Sequence, residues 1–145
     1  MISLSELLTV GQNAMVTRTV QRSDTAASYS KNLKELLATP SCIDMAIKGS
    51  IESIDKFLPD EYISIVFAVE FIHTATTSLG MTVTVKTTIS AINEDEHEVD
   101  LQIEAWDEQG DIGHGMIKRK IVNTEALKKK AKERTTFLIN RQFPR

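Results

Sequence analysis

The chain has 145 residues, of which 41% are apolar and 26% charged, and its formal net charge is −3. This composition is typical of a soluble globular protein, so we expect one domain over residues 1–145 and no nucleic-acid partner. A single cysteine, Cys42, excludes an intrachain disulfide framework. The N-terminus lacks the basic and apolar regions of a secretory signal, which favours a cytoplasmic protein.

The first 38 residues predict little regular structure. Residues 4–8 favour a short turn or helix, and the β-branched, roughly alternating segment 14–21 predicts a strand. A polar break follows at residues 23–25. Residues 30–38 are compatible with either a short helix or a loop, and they lead into the most strongly patterned segment of the chain.

That segment predicts a long amphipathic helix over residues 40–58. Thr39 offers a hydroxyl N-cap, and Pro40 stands at the first helical position, where a missing N–H costs nothing. Pro59 ends the helix. The charged residues lie off the apolar stripe, so the helix lies on another element and does not span a membrane. We expect four isoleucines of the stripe to be buried: Ile43, Ile47, Ile51 and Ile54.

The second half of the chain predicts four strands. Residues 62–72 form a nearly continuous apolar run, and Gly80 opens a strictly alternating segment that extends to residue 92. Segments 98–106 and 112–122 follow after short polar turns. Such turns indicate an antiparallel meander, and one sheet with one striped helix is expected to curl around that helix. A free edge of the sheet favours pairing with a second copy of the chain.

The C-terminal end is basic. Asn123 or Thr124 is expected to cap a final helix, and residues 127–145 contain seven basic side chains and one acidic side chain. Such a segment is either a solvated helix face or an anion-binding surface.

Three residues could carry chemistry. Thr39 is either a cap or a hydroxyl placed where the positive end of the helix dipole would stabilise a carbonyl oxygen that gains charge. Cys42 lies in the first helical turn, where a thiolate is favoured, although a small buried apolar residue is the alternative. His73, at a strand end, suits a general base or a hydrogen-bond donor. The sequence predicts no metal site and no dinucleotide fingerprint, and hence no cofactor.

Four segments together resemble the fluoroacetyl-CoA thioesterase-like branch of the hotdog-fold superfamily. They are R-T-V-x-x-x-D-T-A from Arg18, A-T-P-x-x-I from Ala38, H-T-A-x-x-x-x-G from His73 and A-W-D-E-x-x-x-I-G-x-G from Ala105. The resemblance covers about residues 10–125. It implies an α+β hotdog fold, in which an antiparallel sheet of five or six strands wraps around one long central helix. It also implies a homodimer, or a dimer of dimers, with acyl-CoA sites at the subunit interface.

The resemblance further implies that a threonine, a glutamate and a histidine hydrolyse the thioester. The threonine corresponds to Thr39 and the histidine to His73, whereas the glutamate position is occupied by Ile47. Asp44, one turn before Ile47, is the candidate replacement carboxylate, although a first-turn acid favoured by the helix dipole is the alternative. The substrate-binding residues that we carry over are Ile47, Cys42, Gly80 and Arg119, the last of which corresponds to an arginine in the family's final strand.

Three functions follow from these residues. The first is an acyl-CoA thioesterase that acts on a small or medium acyl group, and the second is a non-catalytic module that binds acyl-CoA or another small ligand. The third, a hotdog dehydratase or hydratase, is weaker because no matching motif is present. Parallel measurements of turnover and binding with one panel of acyl-CoAs separate the first two functions.

Overall fold

The computed structural model describes residues 2–142, so the last three residues of the expected basic tail lie outside the described part. Within this part the chain forms three helices, five strands and four short 3₁₀ turns. The helices and strands are α1 (Leu4–Leu7), β1 (Asn13–Thr19), α2 (Thr39–Ile54), β2 (Tyr62–His73), β3 (Thr82–Asn93), β4 (Glu98–Asp107), β5 (Gly110–Asn123) and α3 (Thr124–Gln142).

The five strands form one antiparallel sheet in the order β1-β3-β4-β5-β2. Hairpins join β3 to β4 and β4 to β5, as the polar turns predicted. The predicted meander of four strands is wrong for β2, which pairs with β5 and not with β3, the next strand along the chain. The predicted α+β architecture, a curled antiparallel sheet with α2 against its inner face, is confirmed with five strands. β2 lies at one edge of the sheet and pairs with β5, with a register shift at Phe67.

The residues of the sheet that face α2 form most of the core, because they follow the period-two pattern of β3 and β4. The fully buried members include Val83, Val85, Ile89, Val99, Leu101, Ile103 and Ile117. Met45 and Ile54 contribute from α2, and both are 0% exposed. These side chains fix the position of α2 against the sheet.

The prediction that all four isoleucines of α2 are buried is wrong. Ile54 is buried, but Ile43 and Ile47 are only partly buried, and Ile51 is 39% exposed. Truncation of a buried isoleucine to alanine lowers the free energy of unfolding by about 2–5 kcal/mol. We therefore expect this loss for Ile54→Ala and not for Ile51→Ala. Ile54 thus belongs to the face of α2 that packs on the sheet, whereas Ile51 lies outside that face.

The face of α2 that packs on the sheet is made largely of small residues. Cys42, Ala46, Gly49, Ser50 and Ser53 are all buried. A Cβ atom on Gly49 would lie 3.0 Å from the hydroxyl oxygen of Thr87, so the absence of a side chain lets helix and sheet approach closely. The apolar pattern alone placed the centre of the buried face too close to the isoleucines, because close helix–sheet packing selects small side chains as well as large apolar ones.

The predicted helix boundaries need a small correction. α2 ends at Ile54, and residues 55–57 form a separate 3₁₀ turn before Pro59. The predicted final helix is present as α3 and contains 19 residues. Neither α2 nor α3, nor any other helix within residues 2–142, has the length and apolar character needed to cross a membrane.

Candidate active site

Thr39 and His73 meet where the N-terminus of α2 approaches the C-terminal end of β2. The Oγ1 atom of Thr39 lies 2.9 Å from Nδ1 of His73, a hydrogen bond whose donor depends on the imidazole tautomer. The N-cap of α2 is Ala38, and Thr39 makes no capping hydrogen bond. The prediction that Thr39 is the N-cap is therefore wrong, because the hydroxyl of this first helical residue bonds to the imidazole.

The second ring nitrogen of His73 has no partner in the structure. The Nε2 atom is buried and makes no hydrogen bond to any residue from 2 to 142. Buried polar atoms are nearly always paired, so an unpaired one requires an explanation such as a ligand or a catalytic role. Since Nδ1 bonds to Thr39, no carboxylate within the described chain orients this imidazole.

The environment of His73 keeps its imidazole neutral. Burial lowers the pKa of His73 below the ordinary value for histidine, since a charged ring loses hydration there. The ring of Phe71 lies against it, with 5.8 Å between the ring centroids. A neutral imidazole next to a hydroxyl is able to accept a proton from that hydroxyl at neutral pH.

The N-terminus of α2 is fixed by the first motif of the resemblance. Arg18 on β1 forms ion pairs with Asp24 at 2.9 Å and with Asp44 at 3.0 Å, and so connects β1, the following loop and α2. The backbone carbonyl of Asp24 accepts hydrogen bonds from the N–H of Ala38 and from the hydroxyl of Ser41. Asp24 and Arg18 therefore hold the residues on either side of Thr39.

The C-terminal end of β2 is fixed by two glycines of β5. Gly113 pairs with His73, and Gly115 pairs with Phe71. A Cβ atom on Gly115 would lie 1.9 Å from the backbone oxygen of Glu70, and one on Gly113 would lie 2.4 Å from the ring of Phe71. No side chain fits at either position without a shift of β2. The I-G-x-G part of the fourth motif thus permits the close approach that carries His73 towards Thr39.

The loop after His73 is tied to the rest of the site region. The hydroxyl of Thr77 donates to Asp107 at 2.7 Å, and both residues are buried. The backbone N–H of Leu37 donates to the carbonyl of Thr77 at 2.9 Å, which fastens this loop to the residues before Thr39. Gly80 ends the loop with a positive φ of +91°, a conformation that favours glycine.

Two residues predicted for the site do not contact the Thr39–His73 pair by hydrogen bonds. Asp44 has a 49% exposed side chain and pairs with Arg18 and Lys48, each at 3.0 Å. The hydrogen bond from Arg18, followed by that from Lys48, lowers the pKa of Asp44. Ile47 lies on the isoleucine stripe, partly buried against the core.

Cys42 and Arg119 lie inside the domain. Cys42 is 0% exposed, and burial raises the pKa of its thiol to about 11. The interpretation of Cys42 as a small buried apolar residue therefore holds, and that of a favoured thiolate does not. Arg119 is buried, and its guanidinium donates to Ser50 Oγ at 3.0 Å, to Ser64 Oγ at 2.7 Å and to the Ser64 carbonyl at 2.8 Å.

Several residues that build the site were not assigned a role from the sequence. Arg18, Asp24 and Asp107 occurred in the quoted motifs, and so did Gly113 and Gly115. The motif spacing was the available signal, but it does not show which partner each residue contacts. For metal binding, the described residues contain no group of three or more histidine, cysteine, aspartate or glutamate side chains that could hold an ion.

Comparisons with known proteins show the family and the fold of the chain. A family model described as fluoroacetyl-CoA-specific thioesterase matches residues 20–125. A hot-dog-like protein from Thermanaerovibrio acidaminovorans is 28% identical and has a TM-score of 0.87, with 92% of this chain and 97% of that chain covered. These similarities confirm the hotdog fold. No curated protein sequence matches this chain.

Two further similar structures carry descriptions that mention a thioesterase superfamily or fluoroacetyl-CoA. A Thermus thermophilus hypothetical protein, described as a thioesterase superfamily member, is 25% identical with a TM-score of 0.77, and 89% of this chain and 96% of that chain are covered. A threonine-to-serine mutant of a fluoroacetyl-CoA-specific enzyme, in complex with acetyl-CoA, is 20% identical with a TM-score of 0.79. That alignment covers 88% of this chain and 99% of the other.

Proposed function

We propose, because this chain belongs to the fluoroacetyl-CoA-specific thioesterase family, that it hydrolyses a small or medium acyl-CoA to the free acid and CoA. The observation that carries the proposal is the 2.9 Å contact between the Thr39 hydroxyl and a half-buried histidine whose other ring nitrogen is buried and unpaired within residues 2–142. A hydroxyl next to a neutral imidazole is a nucleophile next to its base.

In this proposal Thr39 attacks the thioester carbonyl while Nδ1 of His73 accepts the hydroxyl proton. The C–S bond then breaks, and the protonated imidazole returns a proton to the departing CoA thiolate. Water subsequently hydrolyses the threonine ester with His73 again as the base, which releases the acid and restores the hydroxyl. The N-terminus of α2 stabilises the negative charge that develops on the carbonyl oxygen.

The proposed active unit is a homodimer. Phe67, Val69 and Ile72 on β2 are 42–48% exposed, and Ile51 on α2 is 39% exposed. β2 pairs with β5 on one side, and a second copy at its other side would extend the sheet and cover this apolar surface. Ile47 then lines the acyl pocket at the interface between the two subunits.

Sedimentation velocity at micromolar concentration checks the assembly. We expect the mass of a dimer or of a multiple of it, because both a sheet edge and an apolar surface require a partner. A monomer under these conditions would contradict a site shared between subunits.

The second candidate function is acyl-CoA binding without hydrolysis. It is favoured by Ile47, which stands where the resemblance places a glutamate, and by the lack of a carboxylate bonded to His73 within the described chain. Without such a carboxylate the imidazole lacks a counter-charge within residues 2–142 during proton transfer, and the backbone contact with Ala75 that favours its charged form is outweighed by burial.

Steady-state turnover of an acyl-CoA panel, with calorimetric binding of the same panel, separates the two functions. We expect Thr39→Ala and His73→Ala each to lower kcat at least tenfold, which corresponds to about 1.4 kcal/mol of barrier. Thr9→Ala and His97→Asn are the controls, since Thr9 is exposed and His97 lies in the β3–β4 turn, at the end of the sheet opposite to His73. Tight binding of acyl-CoAs without turnover by the natural protein would establish the binding function instead.

A further inference from the structure

The helix α3 extends away from the domain. Its start is anchored, because the N–H of Thr124 donates to the Glu61 carbonyl at 2.9 Å and the N–H of Ala126 donates to Asn123 at 3.0 Å. From residue 128 to residue 141 every residue is exposed. A helix of this length with so little tertiary packing gains stability when a partner covers one of its faces.

The charge of the chain is concentrated in this region. Residues 127–145 carry a net charge of +6, and the remainder of the chain carries −9, which together give the formal charge of −3. A positive segment on an otherwise acidic protein attracts anions to one place and repels them elsewhere.

One face of α3 combines cations with an exposed aromatic ring. A shallow groove runs along this face, and its lining residues are Lys129, Lys132, Glu133, Thr136, Phe137 and Asn140. The side chains recur at helical spacing, so they point in similar directions. Phe137 is 62% exposed, and Glu133 is the one acidic residue of the groove. We call this surface the α3 face.

These residue types match the chemistry of an adenine nucleotide. Lysine ammonium groups bind phosphates, an exposed phenyl ring stacks on a base, and an asparagine side chain hydrogen-bonds an adenine edge. CoA ends in an adenosine that carries a 3′-phosphate and a 5′-diphosphate. Resting on the acyl-CoA activity proposed above, we propose that the α3 face binds the nucleotide of CoA and holds it beside the active site of the other subunit.

The position of α3 in the dimer follows from the direction of β2. Two copies of an edge strand that pair about a two-fold axis run antiparallel. The partner's β2 therefore begins beside the end of β2 that carries His73. The first residue of α3, Thr124, bonds to Glu61 next to the beginning of β2, so the partner's α3 also starts at that end of the shared sheet. In the proposed dimer, α3 of one subunit therefore starts at the same end of the shared sheet as the Thr39–His73 pair of the other.

Substrates with and without the nucleotide test the proposal. We expect the double variant Lys129→Gln/Lys132→Gln to lower at least tenfold the ratio of kcat/KM for acyl-CoA to kcat/KM for the same acyl group on pantetheine. Phe137→Ala should lower this ratio severalfold. The control Lys130→Gln/Arg134→Gln removes the same charge from α3 outside the groove and should leave the ratio within twofold.

Mixed dimers test the contribution from the other subunit. A dimer of one His73→Ala subunit and one Lys129→Gln/Lys132→Gln subunit retains one intact Thr39–His73 pair, which faces the unmodified α3 of its partner. We expect this dimer to show the KM of the natural protein for acyl-CoA. If the mixed dimer instead shows the raised KM of the double variant, the α3 face does not act on the active site of the other subunit.

Calorimetric binding of desulfo-CoA keeps the inference separate from the proposed hydrolysis. If the natural protein has no thioesterase activity, a Kd for desulfo-CoA that rises at least tenfold in the Lys129→Gln/Lys132→Gln variant still supports the α3 face. An unchanged Kd, or an unchanged kcat/KM ratio in an active enzyme, overturns the inference and leaves the hydrolase intact. Binding of a short DNA duplex more tightly than desulfo-CoA through the same lysines would also overturn it.

Discussion

Two polar clusters connect α2 to β2, and they differ in completeness. At the N-terminal end of the helix, Thr39 bonds to His73, and the second nitrogen of the imidazole is unpaired within the described chain. About three turns along the helix, Ser50 accepts a hydrogen bond from Arg119 on β5, which also donates twice to Ser64 on β2. Both clusters join the same two elements, but only the second one is fully bonded.

The difference separates a structural cluster from a chemical one. In the Arg119 cluster, the Ser64 hydroxyl accepts from Arg119 and donates to Asp55, so it links the cation to a carboxylate. Ser50 donates to the Ile47 carbonyl at 2.7 Å. Burial lowers the pKa of Arg119, and the nearby Asp55 partly offsets this effect. A buried network whose members are all satisfied rigidifies the fold, whereas a polar atom without a partner is available to a substrate.

The largest expected effect comes from the complete cluster. Arg119→Ala removes the donor from two serines and a positive charge that interacts with Asp55, so we expect the free energy of unfolding to fall by about 3 kcal/mol. Urea unfolding followed by circular dichroism measures this loss. The exposed Arg134→Ala is the control and should change the free energy of unfolding by under about 0.5 kcal/mol. Equal losses in the two variants would show that the Arg119 cluster has no structural role.

A pair of hydroxyl deletions sharpens the contrast. Ser50→Ala leaves one nitrogen of Arg119 unpaired in a buried place, and we expect a loss of about 1–3 kcal/mol in the free energy of unfolding. Thr39→Val should cost about 1 kcal/mol or less, because the Thr39–His73 cluster is only half-buried, and it should reduce kcat at least tenfold. If Thr39→Val destabilises the protein more than Ser50→Ala does, the distinction between the two clusters is wrong.

Much of the fold could be predicted from the sequence because its strands follow simple rules. The alternation in β3 and the short polar turns on both sides of β4 specify an antiparallel meander without any tertiary information. The rotation of α2 about its own axis, which decides which of its faces is buried, could not be predicted in the same way. Gly49 and Ile51 are two positions apart in the chain and point to different sides of the helix. The glycine is on the buried side, where Thr87 approaches it from the sheet. That approach is a property of the folded sheet.

The Thr39–His73 contact was reached from the sequence only through the family resemblance. No local pattern connects residues that are 34 positions apart, and the contact depends on Gly113 and Gly115 in a third segment. The structural role of Arg119 was missed for a related reason. Its partners are serines, and a serine in a sequence does not reveal whether it bonds to water, to the backbone or to a buried cation.

The smallest expected effect is a dependence on pH. Burial lowers the pKa of His73, so the neutral base persists at pH values where an ordinary histidine is already charged. We expect the acid limb of kcat/KM to have its midpoint below pH 6.5. In the unfolded chain the histidine has its ordinary pKa. As the pH falls below about 6.5, the unfolded state therefore binds more protons than the folded state, and the folded state loses stability. Above that pH the contribution is constant.

Two measurements check this dependence. A pH–rate profile for one acyl-CoA gives the midpoint of the acid limb, and a midpoint above pH 7 would contradict a neutral imidazole held by burial. Urea unfolding of the natural protein and of His73→Gln, at pH 7.5 and again at pH 5.5, gives the effect on stability. The natural protein should lose more stability between these two values than the variant, because glutamine keeps polar contacts at this position but binds no proton.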